Sequence, residues 1–163
     1  MARILVLDGH SAAALAFTRS AGRAGHWVAV GANIGQFAPA KLSRYCSVAL
    51  EYPVSTDDAD VFVEAILKFV RQSSIDLVIP ITDWTVLPLS ELRDAFNGVS
   101  KVVLPPRAAV DLTGDKYKTI ELASKLGIDT PATCLVTQVE ELSHIREWPF
   151  PVVVKDRFSV RRV

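Results

Sequence analysis

Two lysines and a set of strand-end residues are the positions at which this 163-residue chain could do chemistry. Lys116 falls in the first turn of a strongly patterned helix, where a cation opposes the helix dipole at a cost of some tenths of a kcal/mol. Asp115 beside it offsets part of that cost, so a solvated lysine is the plain alternative. Lys155 closes the apolar run 150–154, where it either guards a strand edge or points its amine into a cleft. A lysine ammonium is a compact charge suited to a phosphate chain.

The strand-end residues lie at 8–11, 31–33 and 82–83. The turn Gly9-His10-Ser11 feeds a helix whose free N–H groups can hold an anion. His10 and Ser11 are therefore candidate substrate contacts, or else they satisfy the turn and cap the helix. Asp83 is read in the same two ways, as a helix cap or as a contact to substrate or to the next domain. The first turn lacks the glycines of the dinucleotide fingerprint: one glycine is followed by His-Ser-Ala-Ala-Ala, so a pyrophosphate has no close backbone approach. No residue is assigned as catalytic, and no metal ligand set is expected. Cys46 and Cys134 are far apart and lack CxxC spacing, so two reduced, apolar thiols are expected, in keeping with a cytoplasmic setting.

Bulk composition narrows the class. Half the residues are hydrophobic, enough for a real core, and Lys plus Arg equals Asp plus Glu at 18 each. That balance lacks the clustered basic excess of a nucleic-acid binder. No apolar run approaches the ~18 residues of a membrane helix, and the start Met1-Ala2-Arg3 runs straight into a short apolar run with no cleavage site.

The elements that must position these residues follow from periodicity. Apolar runs at 4–7, 27–30, 47–50, 75–79 and 102–104 read as strands buried on both faces. Between them, 12–24 reads as an alanine-rich helix stopped by Gly25. Asp57 and Asp58 can cap a helix carrying Phe62, Val63, Ile66, Phe69 and Val70 on one face. A helix is expected over 85–96, where Pro88 is tolerable only in the first turn. Strands alternating with helices predict a doubly wound parallel sheet with both faces covered. After the pair Pro105-Pro106 the rhythm changes. A short helix is expected at 108–112, and a clear one at 115–126 with Tyr117, Ile120, Ala123 and Leu126 on one stripe. Beyond Pro131 come a strand near 133–136, a polar helix near 139–146 and a strand at 150–154. The expected division is a Rossmann-like domain over 1–106 and a second segment over 107–163.

Three stretches resemble the opening of the ATP-grasp fold: Gly114-Asp115-Lys116-Tyr117-Lys118-Thr119, the helix end Gly127-Ile128-Asp129-Thr130-Pro131, and Phe150-Pro151-Val152-Val153-Val154-Lys155. The runs Gly25-His26-Trp27-Val28-Ala29-Val30 and Ile75-Asp76-Leu77-Val78-Ile79-Pro80, with Asp83, resemble the Rossmann-like domain that precedes it in carbamoyl-phosphate-synthase-like members. The resemblance implies that Lys116 and Lys155 contact the phosphates or adenine of ATP. It implies a parent protein that uses ATP and Mg²⁺ to join a small-molecule carboxylate to an amine through an acylphosphate. It also implies that 107–163 is a partial small lobe. The family often follows its second lysine with proline and a glycine-rich loop, whereas this chain has Asp156-Arg157-Phe158-Ser159-Val160-Arg161-Arg162. The family's carboxylate and asparagine ligands for Mg²⁺ would lie past Val163, so this piece is expected to be inactive alone and to require no cofactor of its own. Two rivals remain: a nucleotide-binding oxidoreductase-like Rossmann domain, and a non-catalytic docking or dimerisation module, for which a homodimer is the natural partner.

Overall fold

The computed structural model describes residues 1–146 and 148–160. Arg161, Arg162 and Val163, noted above in the run after Lys155, lie outside the described residues. The chain divides into two compact units, the first from Met1 to Arg107 and the second from Ala108 onward.

The first unit is a five-stranded parallel sheet in the order β3-β2-β1-β4-β5. Its strands are β1 (Arg3–Val6), β2 (Trp27–Asn33), β3 (Val48–Tyr52), β4 (Leu77–Ile79) and β5 (Lys101–Val102). β1 lies at the centre, with Leu5 opposite Ala29 on one side and Val78 on the other. The doubly wound parallel sheet expected from the strand–helix rhythm is the fold observed.

Alternation along the strands splits the core in two. Leu5, Leu7, Ala29 and Val78 face Phe62, Val63, Ile66 and Val70 of α2 (Ala59–Gln72), together with Leu89 and Phe96. Ile4, Val6, Val28 and Val30 face Ala14 and Ala21 of α1 (Ala12–Arg23) and Ala40. Small residues on α1 let that helix lie close to the sheet. Ser11 caps α1 by accepting from the Ala14 N–H, and Asp58 caps α2 by accepting from the Val61 N–H.

Several elements differ from the expected ones. α3 runs Asp83–Glu91 and gives way to a 3-10 turn at Arg93–Phe96, so Pro88 sits inside the helix rather than in its first turn. Pro88 has no N–H to give the Trp84 carbonyl. The Ser55 hydroxyl donates to that carbonyl instead, at 2.5 Å. β5 is shorter than 102–104 suggested, because the chain reaches Pro105-Pro106, which cannot donate to a ladder.

The second unit holds α4 (Arg107–Thr113, its first residue belonging to the first unit), α5 (Lys116–Lys125) and a 3-10 turn at Val139–Ile145 in place of the polar helix. The strands expected at 133–136 and 150–154 do not form. Val153 and Val154 are 77 % and 88 % exposed, with no neighbouring strand to pair with. Tyr117, Ile120 and Ala123 of the stripe are on α5 and Leu126 is its C-cap, but none of these residues is buried.

Candidate functional site

In a doubly wound sheet, ligands bind in the crevice at the carboxyl ends of the strands where the strand order reverses. Here that crevice lies between β1 and β4, and a protein carboxylate fills it. Asp8, directly after β1, is buried and has a left-handed backbone with φ 56°. One of its carboxylate oxygens accepts from the backbone N–H groups of Ile81 and Thr82 at 3.0 and 2.8 Å. The Thr85 hydroxyl donates to the same oxygen at 2.6 Å. The Asp8 N–H in turn donates to the Tyr52 hydroxyl at 2.9 Å. Burial, reinforced by the Asp8 charge, pushes the Tyr52 phenol above its ordinary pKa. The Ile81 and Thr82 amides just ahead of α3 thus meet Asp8. Next to it, Gly9 has no room for a side chain: an added Cβ would stand 2.7 Å from a Val30 methyl.

The three strand-end candidates take different roles. Ser11 is the cap of α1. Asp83 is the first residue of α3 and does not cap it. Thr82 holds the cap position without a side-chain bond, while Asp8 accepts from the Ile81 and Thr82 N–H groups that precede the helix. His10 follows Gly9 with its Nδ1 buried and unpartnered. Thr82 Oγ1 and Gln36 Oε1 share that condition, on the loops after β4 and β2. Buried polar atoms are seldom left unpaired, and three of them lie on these carboxyl-edge loops.

The second unit carries the two lysines. Asp115, 1 % exposed, caps α5 by accepting from the Tyr117 and Lys118 N–H groups at 3.1 and 3.2 Å. An isolated antiparallel bridge joins Asp115 to Phe158. The Lys116 N–H donates to the Arg157 carbonyl at 3.1 Å, and the Lys116 Nζ donates to the Ser159 hydroxyl at 3.1 Å. The segment just after Lys155 is thereby laid along the start of α5. Lys155 itself is exposed. The Arg157 guanidinium beside Asp115, aided by the Lys118 and Tyr117 amides and opposed by burial, holds its carboxyl down at about 2. A groove of ≈ 380 Å³ runs along α5 past Tyr117, Glu121, Ser124 and Thr130, and neither lysine lines it.

Tyr52 and Thr85, and likewise Arg157 and Ser159, were not among the sequence candidates, and Asp8 was included only as the start of the strand end 8–11. An acidic residue directly after an apolar strand was the one available signal for Asp8. Cys46 and Cys134 are free, and burial raises the Cys46 thiol above its ordinary pKa. Among the described residues, no group of three His, Cys, Asp or Glu could hold a metal ion. None of the described helices is long and apolar enough to cross a membrane.

No protein-family model and no curated protein sequence matches the chain. Solved structures do. The L-amino acid ligase from Bacillus licheniformis superposes on 100 % of this chain and 39 % of its own, with a TM-score of 0.72 at 18 % identity. The glycinamide-RNase-transformylase T of Mycobacterium tuberculosis covers 88 % of this chain and 38 % of its own, with a TM-score of 0.62 at 21 % identity. The biotin carboxylase domain of Hydrogenobacter thermophilus 2-oxoglutarate carboxylase, a dimer in complex with MgADP, ADP and bicarbonate, covers 91 % and 33 %, with a TM-score of 0.63 at 18 % identity. The chain spans about two fifths or less of each of these proteins. At such identities the likeness concerns the fold. That fold is an α/β arrangement with a five-stranded parallel sheet.

Proposed function

We propose that this chain is the front part of an ATP-dependent carboxylate–amine ligase of the ATP-grasp type. In this reading residues 1–106 form the pre-ATP-grasp domain and residues 107–163 open the ATP-grasp domain. Lys116 and Lys155 hold the nucleotide, while His10, Ser11 and Asp83 shape the site of a second substrate in a cytoplasmic enzyme. The observation that carries the reading is the docking of the segment after Lys155 onto Lys116, through the Asp115–Phe158 bridge and the Lys116–Ser159 hydrogen bond.

The donor set suits a polyphosphate. The amides that open α5 are taken by Asp115, so side-chain cations and the Ser159 hydroxyl are what remain to meet phosphate oxygens. ATP, when bound, would supply the phosphoryl group that activates a carboxylate. For Mg²⁺, the described residues hold no group of three His, Cys, Asp or Glu. The biotin carboxylase domain above was solved with MgADP, which supports looking for the same ligand. The oxidoreductase-like alternative is disfavoured by the turn after β1, where Gly9 is followed by His10 and Ser11 instead of the further glycines that let a pyrophosphate approach.

The test is equilibrium binding of a fluorescent ATP analogue to the full chain. Lys155 is exposed, so Lys155→Ala should fold normally and should weaken binding about tenfold, the loss of one charge-assisted contact. ATP hydrolysis should stay at background. A chain that does not bind ATP, or that binds it equally well after Lys155→Ala, would sink the reading.

A further inference from the structure

Arg157 has no part in the proposal above, yet it makes the strongest polar contact of the second unit. Its Nε lies 3.0 Å from each Asp115 carboxylate oxygen, and its Nη2 lies 2.6 Å from one of them. Such a fork is specific to arginine; a lysine could not reproduce it. The Asp115 side chain is 2 % exposed and the Arg157 side chain 35 %.

The fork resolves a conflict of charge. α5 uses a carboxylate as its cap, and that carboxylate is one residue from Lys116, the cation proposed to hold phosphate. A bare carboxylate there would repel a polyphosphate and compete for the Lys116 ammonium. Arg157 cancels it, so the cap is kept while Lys116 retains its full attraction for an anion.

We infer that Arg157 is a positioning residue of the nucleotide site, acting through Asp115: it neutralises the cap of α5 so that Lys116, with Ser159 beside it, is free to take phosphate. This inference rests on the reading that Lys116 holds the nucleotide. Beside the pair, the centre of the Phe158 ring lies 5.2 Å from the Arg157 guanidinium carbon, and further groups come from α5. Glu121 and Tyr117 act on the Arg157 charge, and the Tyr117 and Lys118 amides bind the carboxylate.

The experiment is calorimetric titration of the full chain, near neutral pH, with ATP and separately with inorganic tripolyphosphate. Arg157→Ala should weaken both about tenfold, because an unpaired negative charge is left beside Lys116. Asp115→Asn should bind at least as tightly as the unaltered chain, since the amide still caps the helix. Combining Arg157→Ala with Asp115→Asn should bring affinity back to within about threefold of the unaltered chain. A merely bracing role predicts the opposite, because the fork stays broken in the double variant. If Arg157→Ala does not fold, the Asp115→Asn arm decides, and weaker binding there overturns the inference. If Lys116→Ala weakens binding while Arg157→Ala does not, the inference falls and the nucleotide reading stands. If Lys116→Ala changes nothing, or the unaltered chain binds neither ligand, the nucleotide reading itself fails and takes the inference with it.

Discussion

Asp8 combines three features that are each unfavourable alone: burial, a negative charge and a left-handed backbone. Aspartate tolerates that backbone better than most residues. Three donors around one carboxylate oxygen offset the loss of water. Removing the carboxylate leaves the Ile81 and Thr82 amides and the Thr85 hydroxyl without an acceptor, and puts an ordinary side chain into a strained conformation. Asp8→Ala should therefore cost about 3 kcal/mol, while Asp8→Asn, which keeps an acceptor and tolerates the same backbone, should cost about half as much. Denaturant unfolding followed by tryptophan fluorescence measures both, and an alanine variant within ~0.5 kcal/mol of the unaltered chain would contradict this account. The sequence showed Asp8 at the right place, after an apolar strand, but the partners of its carboxylate are more than seventy residues away. Ser11 was legible because a cap and its amide are three residues apart. The sequence reads Asp83 as a cap or a contact; it is the first residue of α3, and Thr82 before it holds the cap position.

Among the elements, α3 shows how a local rule can be broken and compensated. Pro88 removes the donor that the Trp84 carbonyl would use, and the buried hydroxyl of Ser55, on the loop after β3, replaces it. This pair is testable as a double-mutant cycle. Ser55→Ala should destabilise the first unit by about 1–2 kcal/mol, the cost of an orphaned buried carbonyl. In a Pro88→Ala background the cost of Ser55→Ala should shrink by at least half, because residue 88 then donates within the helix. Equal costs in the two backgrounds would show that the hydroxyl does not stand in for the missing amide. Strand–helix alternation made β1, β2, α1 and α2 readable, since each buries a continuous face. β5 and the split between α3 and its following 3-10 turn were not readable, because proline placement and a distant hydroxyl decided them. The expected strands at 133–136 and 150–154 have the right composition, but a strand exists only when another strand pairs with it.

At the scale of the whole chain, the two units differ in how much they bury. The first has Tyr52, Phe62, Phe96, Leu5, Leu7, Ile66 and Leu89 almost wholly out of water. Each such side chain contributes about 1.5–3 kcal/mol. In the second, the buried apolar side chains among the described residues are Val110 and Val160, and α5 buries none of its own. Its polar fastenings, the Asp115 fork and the cap, fix local geometry without supplying a core. Local stability follows local burial and hydrogen bonding. Amides of β1 and β4 should therefore exchange with solvent only through global unfolding, whereas those of Val152, Val153, Val154 and Lys155 should exchange at close to unprotected rates. The Tyr117 and Lys118 amides, bound by Asp115, should fall between. Hydrogen exchange read by mass spectrometry or NMR on a sample shown to be monomeric separates these classes. Slow exchange throughout 152–155 in such a sample would mean that this unit completes its own fold. The idea that those valines await strands supplied by a longer ATP-grasp protein would then fail, while the Asp8 and Ser55 arguments, which concern the first unit, would be untouched.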